Sequence, residues 1–314
     1  MRIIPLPYTN PYFNLATEAY FIQESFEDVV LLWQSEKAVV CGKHQNLCAE
    51  VNYAFCKEND IVLARRLSGG GTVFHDMGNV NFTFIQNLKT GIERAVNYKQ
   101  FLEPIREALT ALGVQTTYSH RDDLLLNNYK ISGNAQHVNQ QNKRVLHHGT
   151  LLYDSALSDL SNALHSEGTY IGKSIASVRS QVMNIRQAKD LGETPMFLTS
   201  FLQELQKNLG EMSALSATEI QRISSLENEK FAQNHWILGY SPKYVHQRKI
   251  EIMGQPFELL LEVDRGIIVN LNLSSESQRY FNDECEWCIG KELSEKTLKM
   301  GFPNVSLPEL LRFF

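Results

Sequence analysis

The 314-residue chain has no positive charge to spare. Thirty lysines and arginines against 35 acids leave a formal net charge of -5, which argues against nucleic acid as the main partner, since that usually demands a basic surface. No run of about 18 apolar residues occurs, the length a membrane helix needs. The first residues, MRIIPLPYTNPYF, lack the charged and then apolar layout of a secretory signal. The expectation is therefore a cytoplasmic protein with no membrane and no nucleic acid as partner. Cysteine is sparse and scattered: five in all, with one C-x-x-C at Cys285 and Cys288. That is no disulfide framework, and zinc would need two more well-spaced ligands. The triple-glycine run has no lysine after it, which excludes a P-loop. The dinucleotide fingerprint is excluded too, because it opens a helix and β-branched and aromatic residues follow the glycines here.

The chain is organised around that run, RRLSGGGTVFHD, Arg65 to Asp76. Three residues without a Cβ let the backbone reach positive φ and approach a ligand, with amides turned toward an anion. The adjacent arginines offer a planar, charged fork for phosphate or carboxylate. A plain tight turn is the competing reading. Residues 72 to 86 read as strand, turn and strand, so the loop belongs to a mixed or antiparallel sheet.

Around it the pattern is mixed α/β. Asn10-Pro11 reads as an N-cap and first helical residue, opening a helix to about Glu27. Val29 to Gln34 and Ala38 to Cys41 read as strands joined by a turn. Gly42 to Asn46 with Glu50 and Asn52 is a polar segment whose plainest reading is a solvated loop. A helix through Phe101, Ile105, Leu109 and Leu112 ends at Gly113, and Asn127-Asn128 is a hairpin turn. Residues 168 to 189 carry Lys173, Arg179, Arg186 and Lys189 and no acid, so they form either a solvated face or a docking surface for something negative. The stretch HWILGYSPKY, 235 to 244, suits a linker. Beyond it a three-stranded meander and terminal helices predict a small accessory domain over 244–314, after a main domain over 1–243.

Lys130 lies in a strand-like context before Ser132-Gly133. A surface lysine is the default, but beside an anion-binding loop its ammonium has another use. It can bridge a carboxylate and a phosphate that otherwise repel each other, as adenylation requires. His147 and His148, adjacent on a strand, point to opposite faces, so they do not share one ion. Asp122 and Asp123 are either an exposed turn pair or helpers of a nucleotide's Mg²⁺.

Arg65 to Asp76, Asn79-x-x-Phe82, Lys130-Ile131-Ser132-Gly133, His148 to Leu152 and Ser177 to Ser180, in this order and spacing, resemble the lipoate-protein ligase A family. Gly42 to Asn46 with Glu50 and Asn52 is similar to that family's Gln-Asn-x-x-x-Glu-x-Asn element. The resemblance covers nearly the whole chain. It implies a mixed, largely antiparallel sheet flanked by helices, class II synthetase-like. It also implies that lipoate or octanoate and Mg-ATP give an acyl-adenylate, which then acylates a lysine on acceptor lipoyl domains of E2 subunits or on glycine cleavage H protein.

Carried over, Arg66, Gly71, Thr72, Val73, Phe74 and Lys130 would bind ATP or lipoyl-AMP. Ser68, Gly69, Gly70, His75, Lys130 and His148 would bind lipoate, Lys130 would be catalytic, and Asp123 would meet Mg²⁺ through the nucleotide. Two departures stand out. His120-Arg121-Asp122-Asp123-Leu124 replaces a usual Gly-Arg-Asn-Asp-Leu, and the usual acid after the strand is Ala156 or is shifted to Asp154. Acceptor domains tend to be acidic, so the basic 168–189 stretch is expected to flank their groove, with charge reversal at Arg179 raising the acceptor's apparent KM alone. The rivals are an octanoyl or lipoyl transferase using a cysteine thioester, a transferase using only preformed lipoyl-AMP, and a non-catalytic lipoyl- or biotin-binding regulator.

Overall fold

The computed structural model describes residues 1–88, 97–275 and 281–314. Along the chain, β1 (Arg2–Pro5) leads to α1 (Pro11–Gln23), β2 (Val29–Trp33) and β3 (Ala38–Cys41). Asn10 caps α1 by accepting from the amides of Tyr12 and Phe13, with Pro11 at its first position. Two short helices, α2 (Leu47–Glu50) and α3 (Tyr53–Glu58), precede β4 (Val62–Arg65). The glycine loop joins β4 to β5 (Val73–His75), and β6 (Asn79–Asn87) follows. Next come α4 (Tyr98–Ala111), β7 (Thr117–Tyr118), β8 (Leu124–Leu126), β9 (Tyr129–Ser132), β10 (Asn134–Asn139) and β11 (Arg144–Leu152). Asn127 and Asn128 both have positive φ, 51° and 67°, as a two-residue hairpin loop needs. The middle of the chain is α5 (Leu157–Ala163), β12 (Thr169–Gly172), α6 (Ile185–Ala188), α7 (Thr194–Leu209), α8 (Ala217–Leu226) and α9 (Asn234–Ile237). The last part is β13 (Tyr244–Ile252), β14 (Gln255–Asp264), β15 (Ile267–Ser274), α10 (Asn282–Cys288), α11 (Glu295–Gly301) and α12 (Leu307–Leu310).

A five-stranded sheet, ordered β1-β2-β6-β11-β10, is the backbone of the main body. It is antiparallel except for β1 beside β2. Alternation along β2 sends Val29, Leu31 and Trp33 to the α1 and α8 side, and Val30 and Leu32 to the α4 and α7 side. Both faces are covered, which gives the mixed sheet flanked by helices expected from the sequence.

A three-stranded sheet, ordered β4-β3-β5, carries the glycine loop at its end. The strands read as joined by a turn, β2 and β3, do not pair with each other, because β2 pairs with β1 and β6 whereas β3 pairs with β4 and β5. The β5 and β6 strands likewise part into different sheets. All these strands are buried on both faces, so their alternation carried no information about which partner each would choose.

The last sheet, ordered β12-β13-β14-β15, contains the meander and takes β12 as its outer strand. The stretch read as a linker is packed rather than free: Trp236, Ile237 and Leu238 are buried. It is held by Arg65, whose Nε donates to the carbonyls of Trp236 (3.1 Å) and Ile237 (2.9 Å). The final residue, Phe314, stacks on Tyr53 at 3.8 Å. Among the described residues, no helix is long and apolar enough to cross a membrane.

Candidate functional site

The two arginines before the glycine loop have different tasks from the fork expected of them. Arg65 is fully buried, and its Nη1 donates to the carbonyls of Gly42, Lys43 and Gln45. It therefore serves the packing of residues 42–45 and 236–241. Arg66 also faces backbone: Nη1 donates to Val40 O (2.9 Å), and Nη2 to Gly69 O (2.6 Å) and Gly71 O (2.7 Å). This guanidinium shapes the loop from inside while touching the cavity in front of it. Neither arginine is ion-paired with a carboxylate among the described residues. Burial pushes the Arg66 guanidinium down to about 10. A buried cation with no carboxylate paired to it favours an anionic ligand nearby.

Behind the loop a hydrogen-bonded chain crosses three elements. Arg66 Nε donates to Ser68 Oγ at 3.0 Å, Ser68 Oγ lies 2.6 Å from His148 Nε2, and His148 Nδ1 lies 2.9 Å from Glu18 Oε1. Thr83 Oγ1 also donates to Glu18, at 2.6 Å. Alternation along β11 explains why His148 faces α1 while His147 stacks on Phe101 on the opposite side, 5.0 Å away. Glu18 was missed in the sequence, where its signal was to be the one charged residue of α1.

Two cavities adjoin. The first, about 360 Å³, is lined by Leu15, Trp33, Val40, His75, Ala135 and His148 among others. The second, about 420 Å³, lies between Phe74, Leu152, α5 and the segment after β12. Thr72, Val73, Lys130, Gly133, Thr150 and Ser177 line both. Gly70 and Gly71 reach the first cavity only, whereas Ser68 and Gly69 line neither. Gly70 alone of the three glycines has positive φ, 85°. His75, its ring edge-on to Trp33, is pushed down to about 3 by burial and is neutral.

Lys130 is held firmly at the meeting point. Its Nζ lies 3.0 Å from Asp123 Oδ1, its amide donates to Gln181 O, and its carbonyl accepts from Met183 N. A Cβ on Gly133 would come within 3.1 Å of Lys130 Nζ, so a larger residue there would push the lysine's end aside. Asp123 therefore sits beside the lysine, across the β8–β9 hairpin. Asp122 takes a positive φ of 58° in the preceding turn.

The polar 42–46 segment is solvated only at His44 and partly at Lys43, whereas Gln45 and Asn46 are each 1 % exposed. Gln45 Oε1 accepts from Gly42 N (3.0 Å) and Thr72 Oγ1 (2.8 Å). Its Nε2 donates to Ile175 O (3.1 Å) and Ser177 Oγ (3.0 Å). Glu50 accepts from Ser177 N at 3.1 Å, and Ser177 Oγ accepts from Thr72 N at 2.9 Å. The segment 173–180 is thus a strap over the junction, anchored at one end by β12.

The basic stretch splits. Arg186 is neutralised by Asp154, Asp190 and Glu193, and Lys189 lies against Gly113. Only Lys173 and Arg179 remain on the strap, and Arg179 is exposed and lines the second cavity. No cysteine lines either cavity. Burial pushes the Cys48 and Cys56 thiols up to about 12 and raises Cys41 as well.

Comparison with known proteins bears on family and fold. Residues 10–209 match the family model for the lipoyl protein ligase A/B catalytic domain. Lipoate-protein ligase LplJ of Bacillus subtilis is 34 % identical over 267 residues, covering 82 % of this chain and 80 % of the relative. Among solved structures, a lipoate-protein ligase A bound with ATP superposes with a TM-score of 0.65 at 21 % identity, covering 76 % of this chain and 98 % of that one. A bi-partite lipoate protein ligase of Thermoplasma acidophilum, studied with its E2 lipoyl domain, gives 0.64 at 20 % identity, covering 76 % and 96 %. These two structures establish the shared fold, and the sequence matches establish the kinship: the chain belongs to the lipoyl protein ligase A/B catalytic domain family.

Proposed function

We propose that the protein is an AMP-forming lipoate-protein ligase, which activates lipoate with ATP and passes the acyl group to a lysine of an acceptor lipoyl domain. The observation that carries this reading is Lys130, whose side chain lines two adjoining cavities at once. The first, largely apolar and backed by a buried cation, suits an acyl chain ending in a carboxylate. The second suits a nucleotide. In the first step the carboxylate attacks the α-phosphate and pyrophosphate leaves. In the second, the acceptor's ε-amine attacks the acyl carbonyl and AMP leaves. Lys130 neutralises the meeting anions and remains on the α-phosphate and carbonyl oxygen. Losing one such contact typically costs roughly 3 to 4 kcal/mol in the transition state.

Gly71, Thr72, Val73 and Phe74 would border the nucleotide, and Arg66 would act through the loop it shapes. Gly70, His75 and His148 would border the lipoyl chain, with Ser68 and Gly69 acting from behind. Mg²⁺ needs only one or two carboxylates besides phosphate oxygens, and when bound it neutralises phosphate charge. Asp123 fits it: Oδ1 faces Lys130, and Oδ2 has no protein partner among the described residues. Reversing Arg179 would disturb the nucleotide as well as the acceptor.

The acceptors would be E2 lipoyl domains, the class of partner the Thermoplasma ligase has, and glycine cleavage H protein. Residues 1–243 would form the catalytic unit and 244–314 the accessory one. Five free cysteines suit a reducing compartment, the cytoplasm. Lipoate-dependent exchange of labelled pyrophosphate into ATP tests the reading. Exchange is expected with the wild-type chain and not with Lys130→Ala. Transfer from preformed lipoyl-AMP without exchange would reduce the protein to a transferase.

A further inference from the structure

The floor of the first cavity runs across three strands. Thr150 of β11 lines both cavities and its Oγ1 accepts from Gly133 N at 3.1 Å, which places it at the junction. The sheet register sets Asn81 of β6 opposite Thr150, and Trp33 of β2 opposite Asn81. Neighbouring strands lie about 4.8 Å apart, so Trp33 stands roughly 10 Å from Thr150. All three line the first cavity, and His75 closes this far end with its ring edge-on to Trp33, 5.4 Å away.

The side chains at the far end differ in what they have left to offer a ligand. Trp33 Nε1 already donates to Thr83 Oγ1 at 3.3 Å, and both ring nitrogens of His148 are taken by Ser68 and Glu18. Asn81 Oδ1 accepts from Asn79 Nδ2 at 3.0 Å, but Asn81 Nδ2 has no protein partner among the described residues. Neither ring nitrogen of His75 has one either. These two side chains are 2 % and 4 % exposed. A hydrocarbon tail laid over them would leave them dry and unpaired, which is unfavourable. A sulfur atom instead brings lone pairs that accept an N–H, if weakly, and a polarisable surface suited to the neighbouring indole.

We propose, resting on the adenylation reading, that Asn81 and His75 are specificity-determining residues that contact the ring sulfurs of the acyl tail and favour a dithiolane acid over one of like length without sulfur. The apolar walls take the chain by shape. The two unpaired groups discriminate at its end.

The test compares three acids in acid-dependent exchange of labelled pyrophosphate into ATP by the full chain. They are lipoate, octanoate and 5-cyclopentylpentanoate, which keeps the five-membered ring with carbon in place of both sulfurs. Wild type is expected to use lipoate with a kcat/KM about fivefold or more above that for the cyclopentyl acid, the low end of what an unpaired buried group costs. Asn81→Leu, close in volume, and His75→Phe are each expected to narrow that ratio by raising kcat/KM for both sulfur-free acids. Asn81→Ser, which keeps a donor, is expected to retain part of it. A purely structural role would lower all three acids together and leave the ratio alone. Should Asn81→Leu fail to fold, His75→Phe carries the comparison. A wild-type ratio near one, or a ratio unchanged in the variants, would overturn the proposal while the exchange itself upheld the underlying reading. No exchange by wild type with any of the acids would sink both.

Discussion

The two cavities that meet at Lys130 are built in different ways. The first is backed by the sheet-and-helix body, where a chain of buried hydrogen bonds runs from Glu18 through His148 and Ser68 to Arg66, although strap residues from Ile175 to Val178 border it too. The second is bounded on one side by the strap 173–180, tied down through Ser177, Gln45 and Glu50. The back wall of the first pocket is held by buried bonds. The other depends on a few part-buried bonds and on a strand lent to the small C-terminal sheet.

Four measurements can break that contrast. The largest effect is expected where the cavities join: Lys130→Ala should lower the first half-reaction by at least about a hundredfold, with the fold retained. Next is the rigid side. Glu18→Ala would leave Thr83 and His148 without their partner, costing about 1–3 kcal/mol. This should appear as a lower Tm together with a raised KM for lipoate, and a Tm unchanged from wild type would show the network to be dispensable. On the strap side, Ser177→Ala removes the bonds to Gln45 and Thr72. A loss of about 1 kcal/mol should raise the KM for ATP several-fold while leaving Tm nearly as it was. An equal rise for lipoate would erase the distinction between the two pockets.

The last measurement concerns pH. Burial pushes His75 and His147 down to about 3, below the unfolded value of about 6.5. The unfolded chain therefore binds more protons between those values, so stability should fall as pH drops from about 6.5 toward 3. Denaturant unfolding of His75→Phe should show a shallower fall than wild type over that window, and an identical slope would contradict the assignment.

Much of this was legible from local chemistry. Asn10-Pro11 announced its helix and Asn127-Asn128 its hairpin, because caps and two-residue turns are decided by a few neighbouring atoms. The opposed faces of His147 and His148 followed from the strand period alone. What escaped was settled by distant partners. The β2 and β3 strands look like a hairpin until β6 and β4 compete for them. Arg65 and Arg66 advertise an anion fork, yet they spend nearly all their donors on carbonyls, some of them about 170 residues away. Gln45 looked solvated because nothing adjacent in sequence reveals that the strap will cover it. The triple-glycine loop and Lys130 stood out in the sequence, whereas the walls that give them meaning did not.

A crystal structure of the chain with lipoyl-adenylate would test the central claim most directly. The expected result is the acyl chain in the cavity lined by Trp33 and His148, the adenosine in the cavity lined by Phe74 and Leu152, and Lys130 Nζ within hydrogen-bonding distance of the carbonyl and α-phosphate oxygens. An adenylate bound elsewhere, or an Nζ turned away from both oxygens, would contradict it.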